Sequence, residues 1–230
     1  MRKKQLDRLV HFLSKRFGRK TYGLDNLDLK LAEYVDYKNG FFIEAGANNG
    51  IRQSNTLYFE RYKSWHGLLI EPIPDLAIDC KKNRPKAIVE ACALVSSDFN
   101  GSFVEMEYCN LMSIVNSESS SIDIKKHIES GRRFLNENEQ VYTIKVPAMT
   151  LSEVILKNKI QHVDLLSLDV EGFEAQVLSG INFELHRPEY MLIEVRNKST
   201  IDSIINKYYK SIAVLNTTDS YADVLYKLLK

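Results

Sequence analysis

The sequence contains little cysteine, with three residues, Cys80, Cys92 and Cys109, in a chain of 230. None belongs to a C-x-x-C pair, so neither a disulfide framework nor a structural zinc site is predicted. No apolar run approaches the roughly 18 residues that a membrane-spanning helix requires. The net charge is only +1, which does not indicate a protein built to bind nucleic acid. We therefore expect a globular cytoplasmic protein with reduced cysteines.

The small net charge conceals a basic N-terminus. Residues 1–20 contain eight basic residues and one acidic residue, a net charge of +7, so the rest of the chain carries −6. Apolar residues at three- and four-residue spacing predict a helix over residues 2–17. Three roles for this helix stay open: packing on the domain or a second subunit, lying on the anionic inner face of a membrane, or contacting an anionic substrate or nucleic acid.

From Phe41 onward, short apolar runs alternate with helical stretches, a pattern typical of a parallel sheet with crossover helices. Strands are predicted at residues 41–45, 67–70, 87–95, 163–168 and 190–195. Helices are predicted at residues 27–37, 53–63, 75–83, 151–158, 173–179 and 201–208. Asp25 or Asn26 is expected to cap the first of these helices. Two later strand-like runs, at 212–215 and 223–226, indicate an antiparallel edge.

The predicted organisation is one domain over residues 39–230, preceded by a helical extension over residues 1–38. Residues 100–149 interrupt the alternation, because extended pieces at 102–108 and 141–146 flank a long polar segment. A connection of this length predicts either a functional lid or a mobile insertion. The segment NLMS, which begins at Asn110, is a candidate lining of an acceptor or cofactor pocket.

The most informative turn follows the first strand, in the segment FFIEAGANNG. Asn48 and Ile51 stand where a dinucleotide-binding fingerprint requires glycine, and the Gly-Lys-Ser/Thr of a phosphate-binding loop is missing. An acid at Glu44 would repel a phosphate and attract a cation. The spacing of Glu44, Gly46 and Gly50 fits a loop for S-adenosylmethionine, whose amino and sulfonium groups are positively charged. A dinucleotide-dependent oxidoreductase is accordingly disfavoured.

The second strand, in the segment GLLIEP, also ends in an acid. A carboxylate at Glu71 can accept hydrogen bonds from both ribose hydroxyls of a nucleoside. The two motifs in this order favour a nucleoside-containing cofactor. The alternative interpretation has Glu44 capping its helix and Glu71 exposed at the end of a strand.

The segment LLSLDVEGFEAQVLSG puts Asp169 and Glu171 after a buried strand, at the same sheet edge as Gly46. Transfer of the methyl group of S-adenosylmethionine to an acceptor that carries a proton would require alignment of the reactants and removal of that proton. Asp169 and Glu171 are the candidates, since burial of neighbouring carboxylates raises one pKa. Alternatively, Asp169 only holds the cofactor and Glu171 only caps its helix. His127 in the insertion is a second candidate base, or else an exposed loop residue.

A metal ion is a further hypothesis for this sheet edge. Asp169 follows one strand, and Glu194 and Asn197 follow the next, which would bring together three oxygen ligands. Such a set suits Mg²⁺, which binds few protein ligands and retains waters.

With these motifs, the chain resembles the FkbM-like family of S-adenosylmethionine-dependent methyltransferases. The resemblance covers about residues 39–194 and rests on FFIEAGANNG, GLLIEP, ACALVSSD and LLSLDVEGFEAQVLSG. It implies a class I methyltransferase fold: an α/β, Rossmann-like sheet of seven mostly parallel strands, with helices on both faces and an antiparallel C-terminal strand. It also implies methylation of hydroxyl groups, commonly on sugars or secondary metabolites. The residues predicted to bind the cofactor are Glu44, Gly46, Ala47, Asn48, Gly50, Glu71, Pro72 and Asp169.

We therefore predict an S-adenosylmethionine-dependent O-methyltransferase whose acceptor is a sugar, glycan or glycoconjugate, as in polysaccharide modification. The alternative is a catalytically inactive protein of the same fold that binds a nucleoside or an interaction partner. Methyl transfer distinguishes the two, because both would bind the cofactor.

Overall fold

The computed structural model describes residues 21–116, 123–135, 137 and 139–230. The helix predicted over residues 2–17 and the serine-rich residues 117–122 of the insertion lie outside the described residues. Within the described ranges, no helix is both long enough and apolar enough to cross a membrane.

The chain forms alternating strands and helices. The strands are Phe41–Ala45 (β1), His66–Ile70 (β2), Ile88–Glu90 (β3), Ala93–Leu94 (β4), Phe103–Tyr108 (β5), Ile114–Val115 (β6), Tyr142–Met149 (β7), Leu165–Leu168 (β8), Tyr190–Val195 (β9), Tyr209–Thr217 (β10) and Ala222–Leu228 (β11). The α-helices are Leu27–Leu31 (α1), Leu57–Lys63 (α2), Pro74–Asn83 (α3), Ile124–Gly131 (α4), Leu151–Lys157 (α5), Glu174–Ser179 (α6) and Lys198–Ile205 (α7).

Seven strands form the central sheet, in the order β3-β2-β1-β8-β9-β11-β10. Pairs from β3 through to β9 are parallel, and β11 runs antiparallel to both of its neighbours. The predicted class I methyltransferase fold is therefore confirmed, including its antiparallel C-terminal strand. One detail differs, because the single strand predicted at 87–95 divides into β3 in this sheet and β4 in a second one.

Helices cover both faces of the central sheet. On one face, α1, α2 and α3 bury Leu31, Phe59 and Cys80 against it. On the other face, α5, α6 and α7 contribute to a larger apolar cluster. Both faces of the parallel strands are therefore buried, which explains why their sequences do not alternate polar and apolar residues.

The N-terminal part of the described chain belongs to the same packed unit. Leu27, Leu31 and Val35 are buried in one cluster with Phe42 of β1, so the core begins ahead of the expected boundary at residue 39. The first helix is shorter than predicted and ends at Leu31. Asn26 occupies the predicted N-cap position, but it has left-handed backbone angles and its side chain makes no capping hydrogen bond.

The described residues of the insertion form most of a second sheet and one helix. Its strands β5, β6 and β7 join β4 in a second sheet, in the order β4-β7-β5-β6, so the extended pieces predicted at 102–108 and 141–146 are confirmed. The helix α4 follows the strands β5 and β6 and buries Ile128 against Cys109 and Ile114. The described residues of this segment are therefore held together by strand pairing and by a small apolar cluster.

Candidate active site

The candidate site lies where the strand order reverses, between β1 and β8. Ligands of open parallel sheets bind at such points, outside the carboxyl ends of the strands. Ala45 and Leu168, the last residues of the two strands, are paired in register. Two clefts open at this edge, the first lined by the turns after β1 and β2, and the second lined by α4.

The first cleft encloses about 820 Å³ including its mouth. Its polar lining comes from the turns and consists of Gly46, Asn48, Arg52, Gln53, Glu71, Asp169 and Glu171, with Asn110 and Ser113 from the insertion. Its apolar lining includes Ile70, Cys92, Ala93, Leu94, Met106, Leu111, Val115 and Phe173. A cleft with an apolar wall and a few convergent polar groups is typical of a small-molecule site.

The turn after β1 depends on its glycine. Gly46 has φ +83°, and a Cβ there would lie 1.9 Å from the carbonyl oxygen of Asp169. Only glycine lets the turns after β1 and β8 approach so closely. Asn48 also adopts a left-handed backbone, with φ +47°, and lines the cleft. Of the other predicted cofactor residues in this turn, Ala47 packs in the core and Gly50 lies against Cys80, and neither lines the cleft.

Glu71 and the adjacent Pro72 line the first cleft. Its carboxylate accepts hydrogen bonds from the backbone N–H groups of Asn48 (2.8 Å) and Ile73 (2.9 Å). Burial raises the pKa of Glu71 to about 7, against the opposing effect of these two bonds. The alternative interpretation, an exposed acid at a strand end, is wrong, because Glu71 is buried.

Glu44 has a different position from the one predicted. It is buried behind the turn and does not line the first cleft. Its carboxylate accepts hydrogen bonds from the Ser54 hydroxyl (2.8 Å), the Asn55 N–H (2.7 Å) and the Thr56 hydroxyl (2.8 Å). These residues lead into α2, so the helix predicted from residue 53 begins only at Leu57. Glu44 therefore stabilises the segment that leads into α2 and does not face the first cleft.

The partner of Glu44 is Arg84, which sequence reasoning missed. Arg84 is fully buried, and its Nη1 donates to Glu44 Oε2 at 3.0 Å. Its Nε donates to Glu60 at 2.8 Å, and its guanidinium lies 4.8 Å from the centre of the Phe42 ring. Nothing in the polar run KKNRPK marks one basic residue as buried, so the sequence carries no signal for this contact.

Asp169 and Glu171 lie at the border between the two clefts and line both of them. Glu171 has φ +54° and is followed by Gly172 at φ +88°, a costly conformation for a non-glycine residue. Glu174, rather than Glu171, accepts hydrogen bonds from the N–H groups of Val170 and Gly172 before α6. The interpretation of Glu171 as a helix cap is therefore wrong, and its carboxylate is left for contacts inside the site.

Those contacts are with Arg196 and a further acid. Arg196 Nη2 lies 3.2 Å from Glu171 Oε2 and 2.6 Å from Glu194 Oε1. Removal from bulk water, followed by the negative charge of Asp169, raises the pKa of Glu171. Desolvation by the surrounding protein and neighbouring carboxylates also raise the pKa values of Asp169 and Glu194, while Arg196 opposes all three shifts. The positive charge of Arg196 thus offsets part of the repulsion among these carboxylates at one sheet edge. Sequence reasoning missed Arg196 as well.

His127 is brought to this group by α4. It is buried, so the alternative of an exposed loop histidine is wrong. Its Nε2 lies 3.1 Å from the Met112 carbonyl oxygen and 3.6 Å from Glu171 Oε2. Because a carbonyl only accepts, Nε2 carries the proton in the neutral ring. Burial lowers the pKa of His127, and the charge of Arg196 lowers it further, which favours that neutral form.

The metal set predicted from the sequence is not assembled. Asn197 is exposed, and its side-chain oxygen accepts from the N–H of Thr200 to cap α7. Oxygens of Asp169, Glu174 and Glu194 do lie within 4.8 Å of one another. However, Glu174 is committed to two backbone N–H groups and Glu194 to Arg196. The arrangement is therefore explained by internal partners.

The second cleft encloses about 1210 Å³ including its mouth. It shares Gln53, Leu111, Asp169 and Glu171 with the first cleft. The rest of its lining includes Met112, Asp123, Lys126, His127, Ser130, Arg133 and Phe134 from the insertion, with Glu194, Arg196, Ser220 and Tyr221 opposite. The predicted role of the NLMS segment as a pocket lining is confirmed, since its members line one cleft or both.

Arg52 links the turn side of the site to the insertion. Its Nη1 donates to the Asn110 side-chain oxygen at 3.3 Å, and its guanidinium lies 5.9 Å from the centre of the Phe134 ring. Asn110 in turn donates to Glu139 at 2.8 Å. The wall of the second cleft is thus attached to the turn that lines the first.

The chain was compared with models of protein families. The model described as Methyltransferase FkbM domain matches residues 44–214. No curated protein sequence matches the chain.

Solved structures with a similar fold include three methyltransferases. The FkbM methyltransferase of Methylobacillus flagellatus is 14% identical with a TM-score of 0.46, and the match covers 82% of this chain but only 43% of that protein. A TehB-like SAM-dependent methyltransferase of Corynebacterium glutamicum is 10% identical with a TM-score of 0.45, covering 98% and 97% of the two chains. The 1,6-didemethyltoxoflavin-N1-methyltransferase of Burkholderia thailandensis, which contains S-adenosylhomocysteine, is 10% identical with a TM-score of 0.44, covering 89% and 77%.

Proposed function

The chain belongs to the FkbM family of S-adenosylmethionine-dependent methyltransferases, and from this premise we propose that it methylates a hydroxyl group of a sugar, glycan or glycoconjugate. One observation carries the proposal. Two carboxylates, Asp169 and Glu171, lie on the border of the two clefts and line both of them. A methyl donor in the first cleft and an acceptor in the second would meet at groups able to take a proton.

The first cleft fits S-adenosylmethionine. The carboxylate of Glu71 is held in its lining by two backbone N–H groups and retains lone pairs for the ribose hydroxyls. The apolar side chains of Cys92–Leu94 and Met106 suit an adenine ring. When bound, this cofactor supplies a methyl group on a positively charged sulfur, and Asp169 on the lining complements that charge.

In the proposed reaction, Glu171 removes the proton. The bound cofactor would supply its methyl group to the acceptor oxygen and keep the electron pair of the broken carbon–sulfur bond on sulfur, while the Glu171 carboxylate would accept the hydroxyl proton. A carboxylate with a raised pKa is a stronger base than an ordinary one. His127 is the weaker candidate for the base. Its Nε2, the nitrogen nearest Glu171, already carries a proton that it donates to the Met112 carbonyl oxygen, so this nitrogen cannot accept another. We assign it the task of holding Glu171 together with Arg196.

We propose that no metal ion takes part in this step. Arg196 lies between Glu171 and Glu194 and supplies the positive charge that a cation would bring there. Turnover should therefore be unchanged in excess chelator. Loss of turnover that is restored by added Mg²⁺ would contradict this part of the proposal.

The test of the function is methyl transfer. Glycans from a strain lacking the gene are incubated with the purified protein and methyl-labelled S-adenosylmethionine, and mass spectrometry identifies the labelled acceptor. We expect the mass of one methyl group on a sugar hydroxyl. The variant Glu171→Gln should bind the cofactor without turnover, and Glu105→Gln, an exposed glutamate on β5, serves as the matched control. Cofactor binding without transfer to any acceptor would instead support the inactive, nucleoside-binding alternative.

A further inference from the structure

We propose that the second cleft selects an acceptor that carries an anionic group, a phosphate or a carboxylate, and that Arg133 binds this group with help from Lys126 and Ser130. The inference rests on the proposed function, in which the second cleft receives the acceptor, and it adds the chemical class of that acceptor.

The helix α4 presents two different faces. Ile128 and Gly131 are buried, and a Cβ on Gly131 would lie 2.7 Å from the sulfur of Cys109. Lys126 and Ser130 on α4, and Arg133 in the 3-10 turn Arg132–Phe134 that continues it, all line the second cleft. They follow the four- and three-residue spacing that aligns side chains on one side of a helix. One face therefore anchors the insertion, and the other turns two cations and a hydroxyl toward the cleft.

Arg133 differs from Arg132 and Lys126 in having no carboxylate partner within the described part of the chain. The adjacent Arg132 pairs with Glu129 at 3.0 Å, and Lys126 pairs with Asp123 only at 3.7 Å. No carboxylate among the described residues lies within ion-pairing distance of Arg133. Its guanidinium lies 4.8 Å from the centre of the Phe134 ring, a contact that uses the face of the group and leaves its N–H donors at the edge.

The position of Arg133 suits one end of an extended acceptor. Glu171, close to His127 at 3.6 Å, marks the end where the hydroxyl reacts. Arg133 lies six residues after His127, past the end of α4 and in the 3-10 turn that follows it, which is about 10 Å along the helix axis. A guanidinium binds phosphate and carboxylate oxygens in pairs, so Arg133 would hold the far end of the acceptor while its hydroxyl lies at Glu171.

The charges of the cleft favour this one orientation. The inner end contains Asp169, Glu171 and Glu194 against the single cation Arg196, so an anion placed there would be repelled. The α4 side contains Arg133 and Lys126 against Asp123. An acceptor with an anion at one end and a hydroxyl at the other can therefore bind in the productive direction and is repelled in the reverse one.

The experiment measures anion binding to the full chain saturated with S-adenosylhomocysteine. Inorganic pyrophosphate probes the phosphate class and glucuronate the carboxylate class, each by NMR titration at low ionic strength. We expect at least one probe to bind, with affinity about tenfold lower in Arg133→Gln and unchanged in the control Arg132→Gln. Unchanged S-adenosylhomocysteine affinity in Arg133→Gln would show that the variant is folded. Equal probe affinity in Arg133→Gln and the native chain, or no saturable binding of either probe, would overturn the inference.

A second measurement separates this inference from the proposed function. Labelled glycans from the transfer assay are divided on an anion exchanger. Label confined to the neutral fraction refutes the inference and leaves the O-methyltransferase standing. Arg133-dependent probe binding without any methyl transfer supports the anion site and refutes the proposed activity.

Discussion

Replacing the buried Arg84 tests what holds Glu44 and the segment at residues 54–56 in place, beside the turn after β1. In Arg84→Met, a side chain of similar length keeps the contact with Phe42, while the hydrogen bonds to Glu44, Ser54, Thr56 and Glu60 are lost. Glu44 then keeps its other donors but loses its only buried cation among the described residues. Breaking a buried ion pair from one side costs about 3–5 kcal/mol. Since the remaining donors still satisfy Glu44, we expect about 3 kcal/mol.

Such a loss is large beside the roughly 5–15 kcal/mol that stabilise a typical domain. It can be measured by urea unfolding, followed through the fluorescence of the single tryptophan, Trp65, which is buried near Phe59. The control is Lys82→Met on the same stretch, whose exposed side chain pairs only with Asp79 and should change stability by no more than about 0.5 kcal/mol.

A double variant sharpens the result. In Glu44→Gln/Arg84→Met, no unpaired charge is left between the two positions, so its cost should be smaller than the sum of the single costs by about 1–3 kcal/mol. The reasoning is refuted if Arg84→Met unfolds within about 1 kcal/mol of the native protein, or if the two single costs simply add.

Three further variants address the site. Glu171→Gln should lower kcat by about 10²–10⁴-fold at unchanged cofactor affinity, measured as S-adenosylhomocysteine release; a small effect would show that another group takes the proton. In the native enzyme, kcat should fall as the pH drops through the raised pKa of Glu171, because the base must be ionised; a pH-independent rate would contradict that role. The pKa of Glu71, raised from 4.5 to about 7, means that its folded form binds the proton more tightly than its unfolded form. Its contribution to stability is therefore full below pH 4.5 and is lost as the pH rises through about 7. Between pH 5 and 8, the free energy of unfolding of the native chain in urea should fall by up to about 3 kcal/mol more than that of Glu71→Gln. Parallel curves of the two free energies against pH would refute the shift. Gly46→Ala should abolish cofactor binding and lower stability by more than about 1 kcal/mol, because its Cβ would overlap the Asp169 carbonyl oxygen and its φ is positive; normal calorimetric binding would show that the turn can rearrange.

The parts of the site that could be predicted are those that follow from local pattern. A buried strand followed by small residues places Gly46 and Asn48 at the sheet edge, because strand, turn and helix are neighbours in the chain. Glu71 and Asp169 follow from the same argument, since carboxyl ends of parallel strands share one edge. These residues line the first cleft where the strand pattern put them.

The parts that could not be predicted depend on contacts between distant segments. Arg84 lies 40 residues from Glu44, and a run of basic residues looks solvated until the fold is known. His127 reaches Glu171 only because α4 is anchored by Ile128. For Asn197, the sequence located the correct sheet edge but could not decide whether the side chain faces the acids or caps α7. Short polar side chains often prefer the local backbone.

The division of the lining between two parts of the chain has a practical consequence. Turns of the central sheet supply most polar groups of the first cleft, whereas the insertion supplies much of the second. Lys126 and Ser130 on α4, with Arg133 in the turn that follows it, line the second cleft and not the first. The helix α4 is anchored through its opposite face. Those three positions can therefore be randomised together in a library, which offers an engineer a way to redirect the enzyme to new acceptors while its methyl-donor chemistry stays intact.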